Sequence, residues 1–249
     1  MWEQDGKMYH IQCKKGDVGR YVLLPGDPFR TDLIASYLDD AEMIAHNREH
    51  RTWTGTLLGE KVSVTSTGMG CPSTAIALEE LIACGADTFI RVGTAGCMSQ
   101  ERRNRETIGG IVTAAVRDEG TTRQYVPVEY PAVADRRIVE ALAQGAKKLG
   151  YCFEEGITYT KDSLYTHIFP EMVPLAEVYM DRQKVWERAN VLLTEMEASA
   201  VLVLSSIRGC RASGIMAFSD LDDTAGAVDK EIRTACEAVK ILIEQDKAQ

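Results

Sequence analysis

No stretch of the chain approaches the roughly twenty apolar residues that a membrane-spanning helix requires, so a helical membrane protein is excluded. Histidine is scarce, at four residues, and the seven cysteines (Cys13, Cys71, Cys84, Cys97, Cys152, Cys210 and Cys236) form no C-x-x-C pair. Neither a metal site nor a disulfide framework is indicated, and reduced thiols are expected. Positive charge is also in deficit. Against 37 Asp and Glu stand 28 Lys and Arg, a formal net charge of -9, which leaves no broad basic face for nucleic acid. A small anion is not excluded, because a few local arginines make a positive pocket on an acidic protein. The opening MWEQDGKMYH holds no apolar run, so no secretory leader is read and a cytoplasmic location is expected. With no linker, repeat or low-complexity tract, residues 1–249 read as one domain.

What is present is an alternation of short apolar runs and amphipathic segments, bounded by Gly or Pro. Tyr21 to Leu24, Val62 to Thr67, Thr88 to Val92, Gly110 to Val116, Val191 to Leu193 and Ser213 to Ser219 read as strands. Helices are expected from Pro28 to about Leu38, from Pro72 through the stripe Ile76, Leu78, Leu81 and Ile82, and from an Asp135 cap to about Leu149. Two more run from Glu197 to about Ile207 and from Asp229 to Gln245. The pattern is that of an α/β protein with a largely buried sheet. The charged run from Cys97 to Thr107 reads as a solvated loop.

Three motifs carry chemistry. In GDPFR, Gly26 lets backbone approach a ligand, and Arg30 lies one helical turn on, where its guanidinium can return to the same point. A turn followed by a solvated arginine would look the same. In RVGTAG, Arg91 interrupts a buried strand and therefore needs an anionic partner, either a ligand or a structural carboxylate. Thr94 adds a hydroxyl at the strand's C-terminal end, where open α/β sheets bind ligands. In EMEAS, Glu197 opens a helix, where a carboxylate is either a favourable first-turn charge or an acceptor for two adjacent hydroxyls, with Met196 as an apolar wall.

All three motifs occur together over nearly the whole chain. With HNREHRTWTG, GEKVSVTSTGMGCPSTAIALEEL, GADTFIRVGTAG and EYPAVAD they resemble successive blocks of bacterial uridine phosphorylases, within the nucleoside phosphorylase family that also holds hexameric purine nucleoside phosphorylases. The resemblance implies a single-domain three-layer αβα fold around a mixed, twisted sheet. It implies a phosphate site at Gly26, Arg30, Arg91 and Thr94, and a ribose site at Met196 and Glu197. It further implies that Arg48 and His10 reach the phosphate and the 5′-hydroxyl of a neighbouring subunit's site. The assembly implied is a hexamer built as a trimer of dimers. Phosphate is a co-substrate, and no metal or organic cofactor is implied.

Two departures concern the base. The uridine branch carries a Gln and an Arg for the uracil edge; in KDSLYTHIFPEMVP, His167 and Met172 fall near those positions, and Leu164, followed by Tyr165, replaces an aromatic residue. A thioether cannot supply an arginine's fixed donors. In GCRASGIMAFSD, Asp220 matches the acid that protonates purine N7 in the hexameric branch, with Arg233 as a loosely matched assistant. A solvated acidic loop, Asp220 to Asp223, is the plainer alternative. The expectation is a nucleoside phosphorylase with a preference for purines, in which Arg91 and Asp220 are catalytic. The alternatives are a uridine phosphorylase with altered base contacts, a nucleosidase that uses water, and a nucleoside-binding protein without catalysis.

Overall fold

Residues 3–98 and 106–248 are described in the computed structural model, so most of the charged run 97–107 lies outside the described residues. In chain order the elements are β1 (Glu3–Gln4), β2 (Lys7–Met8), β3 (Tyr21–Leu24), α1 (Arg30–Ala35), β4 (Asp39–Asn47), β5 (His50–Leu57), β6 (Glu60–Thr65) and α2 (Cys71–Ala83). There follow β7 (Thr88–Cys97), β8 (Gly109–Asp118), β9 (Ala132–Val133), α3 (Arg136–Leu149), β10 (Phe153–Lys161), α4 (Tyr165–Ile168) and α5 (Ala176–Arg188). The last four are β11 (Leu193–Glu195), α6 (Ala198–Ile207), β12 (Arg211–Phe218) and α7 (Thr224–Lys247). Among these described residues, no helix is long and apolar enough to cross a membrane.

The main sheet runs β11-β10-β8-β12-β7-β3-β6-β5-β4, and β11 also pairs antiparallel with β7. Strands β11, β10, β8, β12 and β7 therefore close on themselves, and β3 to β4 extend from that ring as an open wing. The sheet is mixed: β7 is parallel to both β12 and β3, whereas β12–β8 and β4–β5–β6 are antiparallel. Helices α2 and α6 cover one face through Leu78, Leu81, Val201 and Leu204. Helices α1, α3 and α7 cover the other through Ile34, Ile138, Leu142, Ile232, Val239 and Leu242. Three layers result because both faces of the strands are apolar and both need cover.

Successive side chains of β7 point to opposite faces. Ile90 and Val92 enter the layer under α3 and α7, and Phe89 enters the layer under α2 and α6. Arg91 shares the side of Phe89, towards the N-terminus of α6. Glycine permits the crowding around it: a Cβ on Gly93 would lie 2.9 Å from the Arg91 Cζ, and one on Gly214 would lie 3.1 Å from its Cβ.

Three elements had no clear signal in the sequence. The β4–β5 hairpin breaks its alternation with charged residues and with two register shifts against β5. Strand β10 is exposed over much of its first half. Helix α5 buries none of its residues, so no apolar stripe marks it.

Candidate active site

The principal cavity, about 510 Å³, opens at the C-terminal ends of β3 and β7, beside the β11–α6 turn. Its walls include Gly26, Arg30, Arg91 and Thr94 from the first two motifs, and Met196 and Glu197 from the third. Six residues separated by up to 171 positions in the chain thus surround one space. Lys161 and Leu164, from the end of β10 and the segment after it, line the same space.

Arg91 forms the floor. It is 5% exposed, and its Nη2 donates to Glu197 Oε2 at 2.6 Å, while Nη1 donates to the Leu24 carbonyl at 3.1 Å. The carboxylate that balances it is 106 residues away in sequence, and the alternation of β7 delivers the guanidinium to it. Of the five N–H groups of the guanidinium, three are not engaged by these two bonds. Gly26 stands against this cation, with its Cα-substituent position 3.6 Å from both Arg91 Nη atoms. A side chain there would fill the space next to the charge.

Each oxygen of Glu197 accepts one hydrogen bond, which leaves acceptor capacity on both. Its Oε1 accepts from the Gly70 N–H at 2.6 Å, and Gly70 has φ of 89°, a conformation that favours glycine. It does not cap α6 with its side chain. That task falls to Glu195, whose Oε2 accepts from the Glu197 and Ala198 N–H groups, both at 2.7 Å. Burial and the neighbouring Glu197 push the Glu195 carboxyl up from the usual carboxylate range, against the pull of Arg91. Two buried acids thus share one buried arginine.

Lys161 is the other buried cation of the cavity wall. It is 5% exposed and donates to Thr194 Oγ1 at 2.6 Å. Burial brings its ammonium down to about 8, opposed by the charges of Glu195 and Glu197.

The remaining expected residues lie elsewhere. Asp220 is exposed after β12 and does not line the cavity, although its neighbour Ser219 does. Arg233 is exposed on α7, near Asp229 and the Tyr151 ring. His167 does not line the cavity: its Nδ1 meets Gln183 Nε2 at 3.0 Å, and burial with the nearby Lys161 charge lowers it to about 4, so it stays neutral. Tyr165 and Met172 line a separate shallow apolar hollow with Phe169 and Val173. Of the expected base contacts, only Leu164 faces the principal cavity.

Arg48 and His10 also lie outside this chain's own cavity. Arg48 sits exposed in the turn between β4 and β5 with φ of 53°. Its neighbour Asn47 donates to the His10 carbonyl at 2.7 Å, and Glu80 holds His10 through Nδ1 at 2.7 Å and through its backbone N–H. The two residues therefore belong to one patch of surface. Sequence reasoning did not reach Lys161, Thr194, Glu195 or Ser219. Their shared signal was position at a strand's C-terminal end; Thr194, Glu195 and Ser219 follow or end runs that do read as strands, whereas Lys161 ends β10, whose exposed first half hides the pattern.

The model of the phosphorylase superfamily matches residues 20–245. The chain is similar to a uridine phosphorylase of Thermococcus kodakarensis, 46% identical over 98% of this chain and 90% of the relative. It is also similar to a guanosine phosphorylase of Halorubrum lacusprofundi, 36% identical over 84% of this chain and 81% of the relative. Two solved structures match it equally well: a uridine phosphorylase from Vibrio fischeri and a purine nucleoside phosphorylase from Toxoplasma gondii. Each has a TM-score of 0.85 and 28% identity, over 98% of this chain and 100% of the other.

Proposed function

Because the chain belongs to the phosphorylase superfamily, we propose that it catalyses the phosphorolysis of a nucleoside, with uridine as the preferred class of substrate. The observation that carries the reading is the Arg91–Glu197 pair, which joins a buried cation suited to phosphate with a carboxylate suited to a ribose diol in one cavity. Gly26, Arg30, Arg91 and Thr94 hold phosphate beneath the sugar, and Met196 and Glu197 orient the ribose. Arg48 and His10 come from a neighbouring copy, so the working unit is a dimer within a larger ring. Phosphate is the co-substrate, and the chemistry calls for no metal or organic cofactor.

The C1′–N bond breaks with its electron pair moving to the base, and a phosphate oxygen forms the new bond to C1′. Positive charge grows on the sugar as the bond breaks, so the anion held on the arginines supplies both the nucleophile and electrostatic stabilisation. The purine preference expected from Asp220 gives way here. Similarity is greater to a uridine phosphorylase, at 46% identity, than to a guanosine phosphorylase, at 36%. Asp220 is also not among the residues that line the cavity, although its neighbour Ser219 is.

The test is base release from uridine, inosine, guanosine and adenosine, each with and without phosphate. Rapid, phosphate-dependent release of uracil is the expected result. Release without phosphate would make the protein a nucleosidase, no turnover would make it a binder, and a preference for inosine or guanosine would restore the purine reading.

A further inference from the structure

Lys161 is a buried cation that the residues around it do not account for. At 5% exposure it is removed from water, yet among the described residues its Nζ makes one hydrogen bond, to the neutral Thr194 hydroxyl. An ammonium has three N–H donors, and burying it without a paired carboxylate is costly. The carboxylates of Glu195 and Glu197 act on it from a distance, and each is already engaged, Glu195 by the start of α6 and Glu197 by Arg91 and Gly70. The Tyr159 ring lies 5.8 Å from Nζ on its own strand, and the His167 imidazole on α4 is held neutral. On the neighbouring β8, Asp118 is taken by the Tyr159 hydroxyl and Arg182.

Lys161 faces a space in which a ligand can take those N–H donors. It lines the same cavity as Arg91, Thr94 and Glu197, together with Leu164, the residue that the resemblance sets beside the base. With phosphate on the arginines and the ribose diol on Glu197, Leu164 and Lys161 are left to meet the base. This step rests on the reading above.

We infer that Lys161 is the acid that serves the departing base, donating from Nζ to a carbonyl oxygen of the pyrimidine as the C1′–N1 bond breaks. The electron pair of that bond passes into the ring and builds charge on the carbonyl oxygens. The proton from Nζ moves to the base, phosphate completes the sugar product, and the neutral amine regains a proton from water. The role of acid expected of Asp220 is thereby filled from the end of β10. An ammonium brought down to about 8 by burial is well suited to give up a proton near neutral pH.

The experiment compares uridine with 5-fluorouridine, whose more acidic base leaves with less help. In Lys161→Met, kcat for uridine should fall by roughly 10²–10⁴, and that for 5-fluorouridine by much less. The alkaline decline of kcat expected near pH 8 with uridine in the wild type should vanish in the variant. Equal losses on both substrates with an unchanged pH profile would mean that Lys161 only supports the structure, and an unaffected kcat would equally overturn the assignment. Should that variant fail to fold, Lys161→Arg keeps the buried charge but does not release its proton, so it should show the same selective loss with uridine, and wild-type rates in it would overturn the assignment. No phosphate-dependent cleavage of any nucleoside by the wild type would overturn the functional reading itself, whereas wild-type turnover indifferent to Lys161 overturns this assignment alone.

Discussion

Arg91 and Glu197 show how one contact serves both folding and chemistry. A buried pair of this kind adds little net stability, but removing one partner leaves the other charged and unmatched. Arg91→Ala should therefore lower phosphorolysis by about 100-fold or more, and should also destabilise the fold by roughly 3 kcal/mol, read by assay and by denaturant unfolding. A change next door separates the two effects. In Gly93→Ala the new methyl would press on the Arg91 guanidinium, which is the far end of a flexible side chain, so the KM for phosphate should rise with little change in Tm. Near-identical phosphate kinetics would show that the guanidinium position is not set by this crowding.

Glu231 is the other residue in which burial dominates. It lies on α7 with no exposure, and neither carboxylate oxygen has a hydrogen-bond partner among the described residues, although Gly93 and Ala217 backbone lies close by. Burial pushes it up to about 8, against the favourable charges of Arg30 and Arg91. A carboxyl raised by folding binds its proton more tightly in the native state than in the unfolded one. Its effect is absent below the unfolded value of 4.5 and costs progressively more stability as pH rises from there to about 8. Glu231→Gln should flatten that decline, giving a higher Tm than wild type at pH 8 and nearly the same Tm at pH 4. A parallel fall of Tm with pH in both proteins would refute this origin.

Among the elements, α3 shows local signals at both ends. Asp135 Oδ1 accepts from the Arg137 and Ile138 N–H groups, and Gly150 closes the helix at φ of 72°. Those ends were legible because a cap and a left-handed glycine act within a few residues. Asp135→Ala should cost about 1 kcal/mol, a drop of roughly 2–4 °C in Tm for a chain of this size. Strand β8 depends on a contact of the opposite kind. A Cβ on Gly109 would lie 2.0 Å from the Met216 carbonyl oxygen of β12, and backbone cannot yield as a side chain can. Gly109→Ala should be far more damaging than the lost cap, seen as a large fall in unfolding midpoint or in soluble yield. Nothing near Gly109 in the sequence announces this, since its constraint comes from a strand a hundred residues on.

For the whole molecule, the question is how Arg48 and His10 meet a site they do not line. Both belong to one surface patch, tied by Asn47, and Phe29 and Met69 beside the cavity are 71% and 85% exposed. A second copy that brought this patch to the cavity would complete the phosphate and ribose contacts and cover apolar surface. Arg48→Ala and Arg91→Ala should each be nearly inactive alone, yet co-expression should restore activity through mixed dimers with one intact site. An active monomer by sedimentation, or no recovery on mixing, would dispose of the shared site.

The sequence by itself determined the composition-level exclusions, the α/β alternation, the ends of α3 and the three motifs. Each of these depends on chemistry within a few residues: a cap, a turn glycine, an apolar period, an arginine out of place in a strand. The tertiary structure decided which alternative each motif took. Arg91 proved to have both a carboxylate partner and a cavity, because β7 alternation and the β11–α6 turn bring Glu197 to it. Lys161 was brought into that cavity, against Thr194, by the closure of β11 onto both β10 and β7, and Asp220, His167 and Met172 are not among its lining. That closure joins strands far apart in the chain through backbone hydrogen bonds, which residue type does not encode, and so it could be read only from the folded protein.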